Sequence, residues 1–174
     1  MPICDEAVFR SEQVLPYRGP FNPYQAADRD IEDLLLFTQR REVLWKNFLE
    51  WRTEIKKLLG NTTFWVNGSF VTVKPDPKDI DVLVFASSKA FKKAELSNPS
   101  KLSALETIFQ LKRDGSKKRV QPYGGLIDSF ILPCDNIDKR DGSLQYWDQQ
   151  WSRINKSKHY LSTSCSQKGF LEVR

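Results

Sequence analysis

The 174-residue sequence predicts an α+β fold: a short mixed β-sheet with helices packed on one face and a helical elaboration before it. Three observations predict this. Apolar residues recur at three- and four-residue intervals from Ala26 to Gly60, the period of an amphipathic helix. Two β-branched, apolar stretches, Asp79–Phe85 and Leu126–Leu132, have the length and composition of strands. Clusters of Gly, Pro, Asn and Asp separate these segments.

Pro2, Pro16, Pro20 and Pro23 with Gly19 disfavour a long regular element in residues 1–25, which reads as an extended arm over the body. Residues 26–60 carry Ile31, Leu34, Leu35 and Thr38, then Val43, Leu44, Phe48, Trp51, Ile55, Leu58 and Leu59, the stripe of one long helix or two consecutive ones. Thr62–Val66 reads as a short strand broken by Asn67-Gly68-Ser69. A connection through residues 74–78 leads into Asp79–Phe85, the strongest strand signal. Leu102, Leu105, Ile108, Phe109 and Leu111 have helical spacing between Ser100 and Lys112, and Asp114–Lys118 reads as a turn. Leu126–Leu132 comes after Gly124-Gly125 and stops at Pro133. Leu144, Trp147, Trp151 and Ile154 suggest a late helix capped by Asp141 or Ser143, and Gly169–Val173 a final strand or docked tail.

Length and composition bound the function. The chain can bury one sizeable core, and a second independent domain would be cramped. With 40% apolar and 28% charged residues it is expected to fold rather than remain disordered. A net charge of +5 modestly favours a nucleotide, a nucleic acid or another polyanion, and serves ordinary solubility equally well. Cys4, Cys134 and Cys165 show no short ligand spacing, and a reduced, cytoplasmic setting is the simpler expectation. MPICDEAVFR has no basic segment followed by an apolar run, and no 18-residue apolar stretch occurs, so neither secretion nor a membrane partner is expected.

The chemistry concentrates on acids. Successive side chains of a strand point to opposite faces, so Asp79 and Asp81 share one face at about 6–7 Å between α-carbons, while Ile80, Val82 and Val84 take the other. Two such carboxylates repel, and one tends to take up a proton unless a cation intervenes. Mg²⁺, or Mn²⁺ in its place, suits carboxylate and phosphate oxygens, and the chemistry indicated is phosphoryl or nucleotidyl transfer from a nucleoside triphosphate. Asp128 interrupts the apolar strand Leu126–Leu132 and is the candidate third carboxylate. Gly68-Ser69 closes the preceding strand, where free backbone N–H groups can hold phosphate, and Lys74 and Lys78 can reach phosphate oxygens from the connection.

The stretch Trp65–Asp81, with its Gly68-Ser69 turn and the Asp79/Asp81 pair, resembles the signature of the DNA-polymerase-β-like nucleotidyltransferase superfamily, in particular a small bacterial and phage-associated branch. The resemblance implies that Gly68 and Ser69 hold the nucleotide's phosphates, that Asp79 and Asp81 bind two metal ions, and that Asp128 completes the site. It implies a nucleotidyltransferase-like sheet over the catalytic core 61–132, which with the arm 1–25, the helical elaboration 26–60 and a C-terminal helix and tail 133–174 makes up the single domain expected from the length. The acceptor hydroxyl would belong to RNA such as tRNA, to a protein or to a small molecule.

Other signals carry less. His159, the sole histidine, sits among Lys156, Lys158 and Tyr160 as a surface residue, and Trp147 and Trp151 have the spacing of a packed stripe. A metal nuclease built on Pro75-Asp76 lacks its later acid and lysine, and no P-loop or dinucleotide fingerprint occurs. The alternative function is a non-catalytic interaction or antitoxin-like module that retains the fold.

Overall fold

A computed structural model describes residues 3–135, 142–154 and 163–174, with only the backbone of residues 142 and 143. Five strands form a mixed sheet. In spatial order they are β1 (Tyr24–Gln25), β7 (Leu171–Val173), β2 (Thr62–Asn67), β3 (Ile80–Ala86) and β6 (Ile127–Pro133). β2 runs antiparallel to both β3 and β7, whereas β3 and β6 are parallel, as are β1 and β7. The two strands carrying the candidate acids are therefore neighbours, as their sequences predict.

Alternation along the strands makes both faces apolar. Phe64, Val66, Val82 and Val84 meet the long helix α3 (Gln39–Leu59) through Phe48, Trp51 and Ile55. Trp65, Leu83, Phe85 and Phe170 lie in a second cluster with Leu144, Trp147 and Trp151 of α7 (Gly142–Ser152). This corrects the expectation of helices on one face: a strand apolar on both sides must be covered on both. Trp147 and Trp151 pack in that cluster, as their spacing suggests.

The helical elaboration is two helices, α2 (Asp28–Leu35) and α3, separated where the Thr38 side chain caps α3. The first 25 residues are not wholly extended. Asp5 accepts hydrogen bonds from the N–H groups of Ala7 and Val8 and starts the seven-residue α1 (Glu6–Glu12), ahead of the later prolines. The segment after α1 does wrap the body, with Leu15 N–H donating to the Val71 carbonyl and Gly169 N–H to that of Leu15.

Two further differences concern residues 87–120. Ser87 caps a helix, α4 (Ser88–Ser97), that buries only Ala94, so its sequence shows little apolar period. The helix expected over 100–112 ends early as α5 (Pro99–Leu105). Thr107 N–H instead donates to the Ser129 carbonyl on the open edge of β6, and the chain continues as a hairpin of β4 (Ile108–Leu111) and β5 (Lys117–Val120). A single turn, α6 (Pro122–Gly125), returns the chain to β6. Asp141 and His159 lie outside the described residues. No described helix is long and apolar enough to cross a membrane.

Candidate active site

The face of β3 that carries Asp81 also carries Leu83 and Phe85. α7 covers the latter two and leaves Asp81 at the margin of the apolar cluster. The β3–β6 register sets Asp81 opposite Asp128, and the β2–β3 register sets it opposite Asn67. Asp79, just before β3, lines the same cleft of about 490 Å³, together with Gly68, Ser69, Lys74, Lys78, Asp128 and Lys168. Every site residue expected from the sequence thus faces one cavity.

Gly68 comes directly after β2 with φ of +76°, a conformation that only glycine takes without strain. Its hydrogen also leaves room for the Asp81 carboxylate. Ser69 sits in the short 3₁₀ turn that Gly68 begins, which spans Gly68–Val71.

The turn is fastened from behind by a residue the sequence did not point to. Arg41, fully buried on α3, donates to the carbonyls of Leu35, Phe70, Thr72 and Lys74. Its Nη1–Phe70 O distance is 2.7 Å and its Nε–Lys74 O distance 3.0 Å. One guanidinium thereby satisfies the carbonyls of an irregular segment that has no sheet partner for them. Thr38 Oγ1 donates to the Pro75 carbonyl at 2.7 Å, and Arg40 Nε to that of Pro77 at 2.9 Å, so the start of α3 also sets the approach to Asp79.

Each outer acid has a protein partner. Asp79 Oδ2 accepts from Gln121 Nε2 at 3.0 Å. Asp128, 4% exposed, accepts at Oδ1 from Thr107 Oγ1 at 2.8 Å and at Oδ2 from the Arg119 guanidinium. Burial, and then the charges of Asp79 and Asp128, push the Asp81 carboxyl up to about 6, against the opposing pull of Lys168 and Arg119. Lys168 is buried. Its ammonium donates to Asn67 Oδ1 and, at 3.3 Å, to the Gly68 carbonyl. Asn67 Nδ2 donates to the Trp151 carbonyl at 2.7 Å, tying the turn to the end of α7.

Among the described residues no three His, Cys, Asp or Glu side chains are gathered as a ready-made ligand set. The three aspartates share the cleft, but Gln121, Thr107 and Arg119 hold oxygens of the outer two. Sequence reasoning missed Arg119, because a basic turn carries no pattern that aims one of its residues inward. It also missed Gln121, Thr107 and Asn67, which have no signature outside their tertiary contacts.

Fold and site together define an α+β protein with a three-aspartate cleft facing a glycine turn. The chain belongs to the family of unknown function DUF6932, whose family model matches residues 7–174. Neither a curated protein nor a solved structure matches it.

Proposed function

We propose that this protein is a metal-dependent nucleotidyltransferase that moves a nucleoside monophosphate from a triphosphate to an acceptor hydroxyl, in a polymerase-β-like arrangement. The observation that carries the reading is the presence of Asp79, Asp81 and Asp128 in one cleft that the Gly68-Ser69 turn also lines, with Gly68 packed against Asp81.

The donor chemistry suits a hard divalent cation, which would have to draw together carboxylates that the described residues do not hold as a ready-made ligand set. Three carboxylates offer the oxygen donors that Mg²⁺ or Mn²⁺ takes, and the raised proton affinity of Asp81 comes first from its burial and then from the Asp79 and Asp128 charges, a repulsion that such an ion would relieve. Bound there, the metal supplies charge neutralisation on the transferring group. Asp79 and Asp81 hold it, with Asp128 at the acceptor side.

The chain's own residues do the rest. The Gly68-Ser69 turn binds the phosphates, with Lys74 and Lys78 lining the same cleft. The acceptor oxygen attacks the α-phosphorus. The new O–P bond forms as the bond to the bridging α,β-oxygen breaks, pyrophosphate leaves, and the hydroxyl proton passes to water, with Asp128 positioning the hydroxyl. Cys4, Cys134 and Cys165 form no disulfide, which fits a cytoplasmic setting.

A screen of each labelled nucleoside triphosphate with Mg²⁺ against a cell extract reports donor and acceptor together. Asp81→Asn is expected to abolish incorporation, and Asp79→Asn nearly so, with the fold intact. Full incorporation by the Asp81 variant rejects the reading.

The protein partners of Asp79 and Asp128 favour one second reading, a non-catalytic interaction module that uses the fold without the chemistry. It gains if Mg²⁺ plus triphosphate leaves the melting temperature of the parent unmoved.

A further inference from the structure

The β4–β5 hairpin is joined to the cleft at its base. Thr107, immediately before β4, donates to Asp128, and Gln121, immediately after β5, donates to Asp79. Arg119, on β5, reaches the second oxygen of Asp128. Away from this base the hairpin has no covering layer among the described residues: Phe109 is 57% exposed and Leu111 is 73% exposed.

Its charge is one-sided. Residues 108–120 contain Lys112, Arg113, Lys117, Lys118 and Arg119 against the single acid Asp114. The register places Phe109 opposite Arg119 and Leu111 opposite Lys117, so an exposed aromatic ring, an exposed aliphatic side chain and two cations share one face of the ribbon. That face begins at the acids and leads away from them.

We propose that this hairpin is a binding arm for single-stranded nucleic acid, which delivers the strand's terminal hydroxyl to the three-aspartate cleft. The proposal rests on the transferase reading for the identity of the acceptor, and on the hairpin alone for binding. Basic side chains neutralise backbone phosphates, while an exposed ring stacks on a base only if that base is free of its own neighbours, which selects an unpaired strand. An acidic peptide would use the cations but gives no role to Phe109. The only other exposed apolar side chain on that face, Leu111, is too small a patch for an apolar protein partner.

The test is fluorescence anisotropy of labelled single-stranded ribo- and deoxyribo-oligonucleotides with the full chain, without Mg²⁺ or triphosphate. A duplex and a poly-glutamate peptide serve as competitors, and the salt concentration is varied. The parent is expected to bind single strands in preference to both competitors, and the ribo and deoxyribo arms identify the sugar. Phe109→Ala is expected to weaken binding roughly tenfold. Lys117→Glu, on the same face as Phe109, should weaken it further and lower the slope of log affinity against log salt by about 0.7 per lost phosphate contact.

Both variants change exposed side chains outside the cleft and should keep the parent's thermal shift with Mg²⁺ plus triphosphate. Equal affinity in parent and variants overturns the proposal, as does preference for the duplex or the peptide. If the triphosphate shift is absent from the parent while hairpin-dependent oligonucleotide binding remains, the transferase reading fails and the arm stands as a nucleic-acid-binding element.

Discussion

A Cβ placed on Gly68 would lie 1.7 Å from Oδ2 of Asp81. The glycine turn and the central acid are therefore one packing unit, and a change at either is felt at the other. Gly68→Ala should both strain the backbone, at about 1–3 kcal/mol, and push the Asp81 carboxylate aside. We expect a melting temperature lower by several degrees and loss of the stabilisation given by Mg²⁺ with triphosphate. A variant matching the parent in both measurements would remove the packing argument.

Asp81 makes the metal-free protein sensitive to pH. Its folded-state pKa of about 6 stands above the ordinary value of 3.8, so the folded protein binds this proton more tightly than the unfolded chain. The resulting stabilisation is complete below about pH 4 and lost as the pH rises through about 6. Asp81→Asn is insensitive to this loss. At pH 7–8, without metal, it should exceed the parent in stability by on the order of 3 kcal/mol, and the gap should close toward pH 4. Denaturant titrations across that range check the sign; a gap that widens in acid contradicts it.

Arg119 competes with any cation for Asp128. Its side chain is 44% exposed while that of Asp128 is 5% exposed, so the pair is only half screened from water. Arg119→Ala should cost about 1 kcal/mol in the absence of metal. Added Mg²⁺ should then stabilise the variant more than it does the parent, at a lower midpoint concentration. Thermal melts over a Mg²⁺ series provide the comparison, and an unchanged midpoint means that the guanidinium and the ion do not share the carboxylate.

Arg41 holds the strand-to-strand connection rather than the substrate. Lysine keeps the charge but cannot present donors to the carbonyls of Leu35, Ser69, Phe70, Thr72 and Lys74 together, so Arg41→Lys should lose about 3–5 kcal/mol and roughly 10 °C in melting temperature. Hydrogen exchange should speed up first in residues 69–75, where the released carbonyls lie. Uniform exchange across α3 and the sheet would instead place the loss in the core.

The pair Asp79/Asp81 was legible because a period of two converts sequence spacing directly into a shared face. Asp128 was legible because a charge inside an apolar strand needs a compensating partner. The same logic covered only half of the molecule's packing. Reading Val82 and Val84 as the apolar side left Leu83 and Phe85 unassigned, and these are the residues that call for α7. Ile108, Phe109 and Leu111 continued the helical spacing of Leu102 and Leu105. Spacing cannot register that the open edge of β6 claims Thr107 and turns the chain into a strand. Arg41, Gln121 and Lys168 act across 33 to 101 positions of sequence and make themselves known only when the chain is folded.

The placement of β7 bears on the order in which the protein can assemble during synthesis. Residues 171–173 sit between β1 and β2, strands that leave the ribosome more than a hundred positions earlier. Until they emerge, β2 has an open edge, β1 has no strand to join, and the lysine three residues before β7 is absent from the glycine turn. Strand pairing of such long range is slow and leaves sticky edges exposed while it waits. A nascent chain that has made all three aspartates and Arg119 thus still lacks the ammonium that fastens the glycine turn and shares in offsetting the Asp81 charge, so completion of the sheet and completion of the site are a single late event.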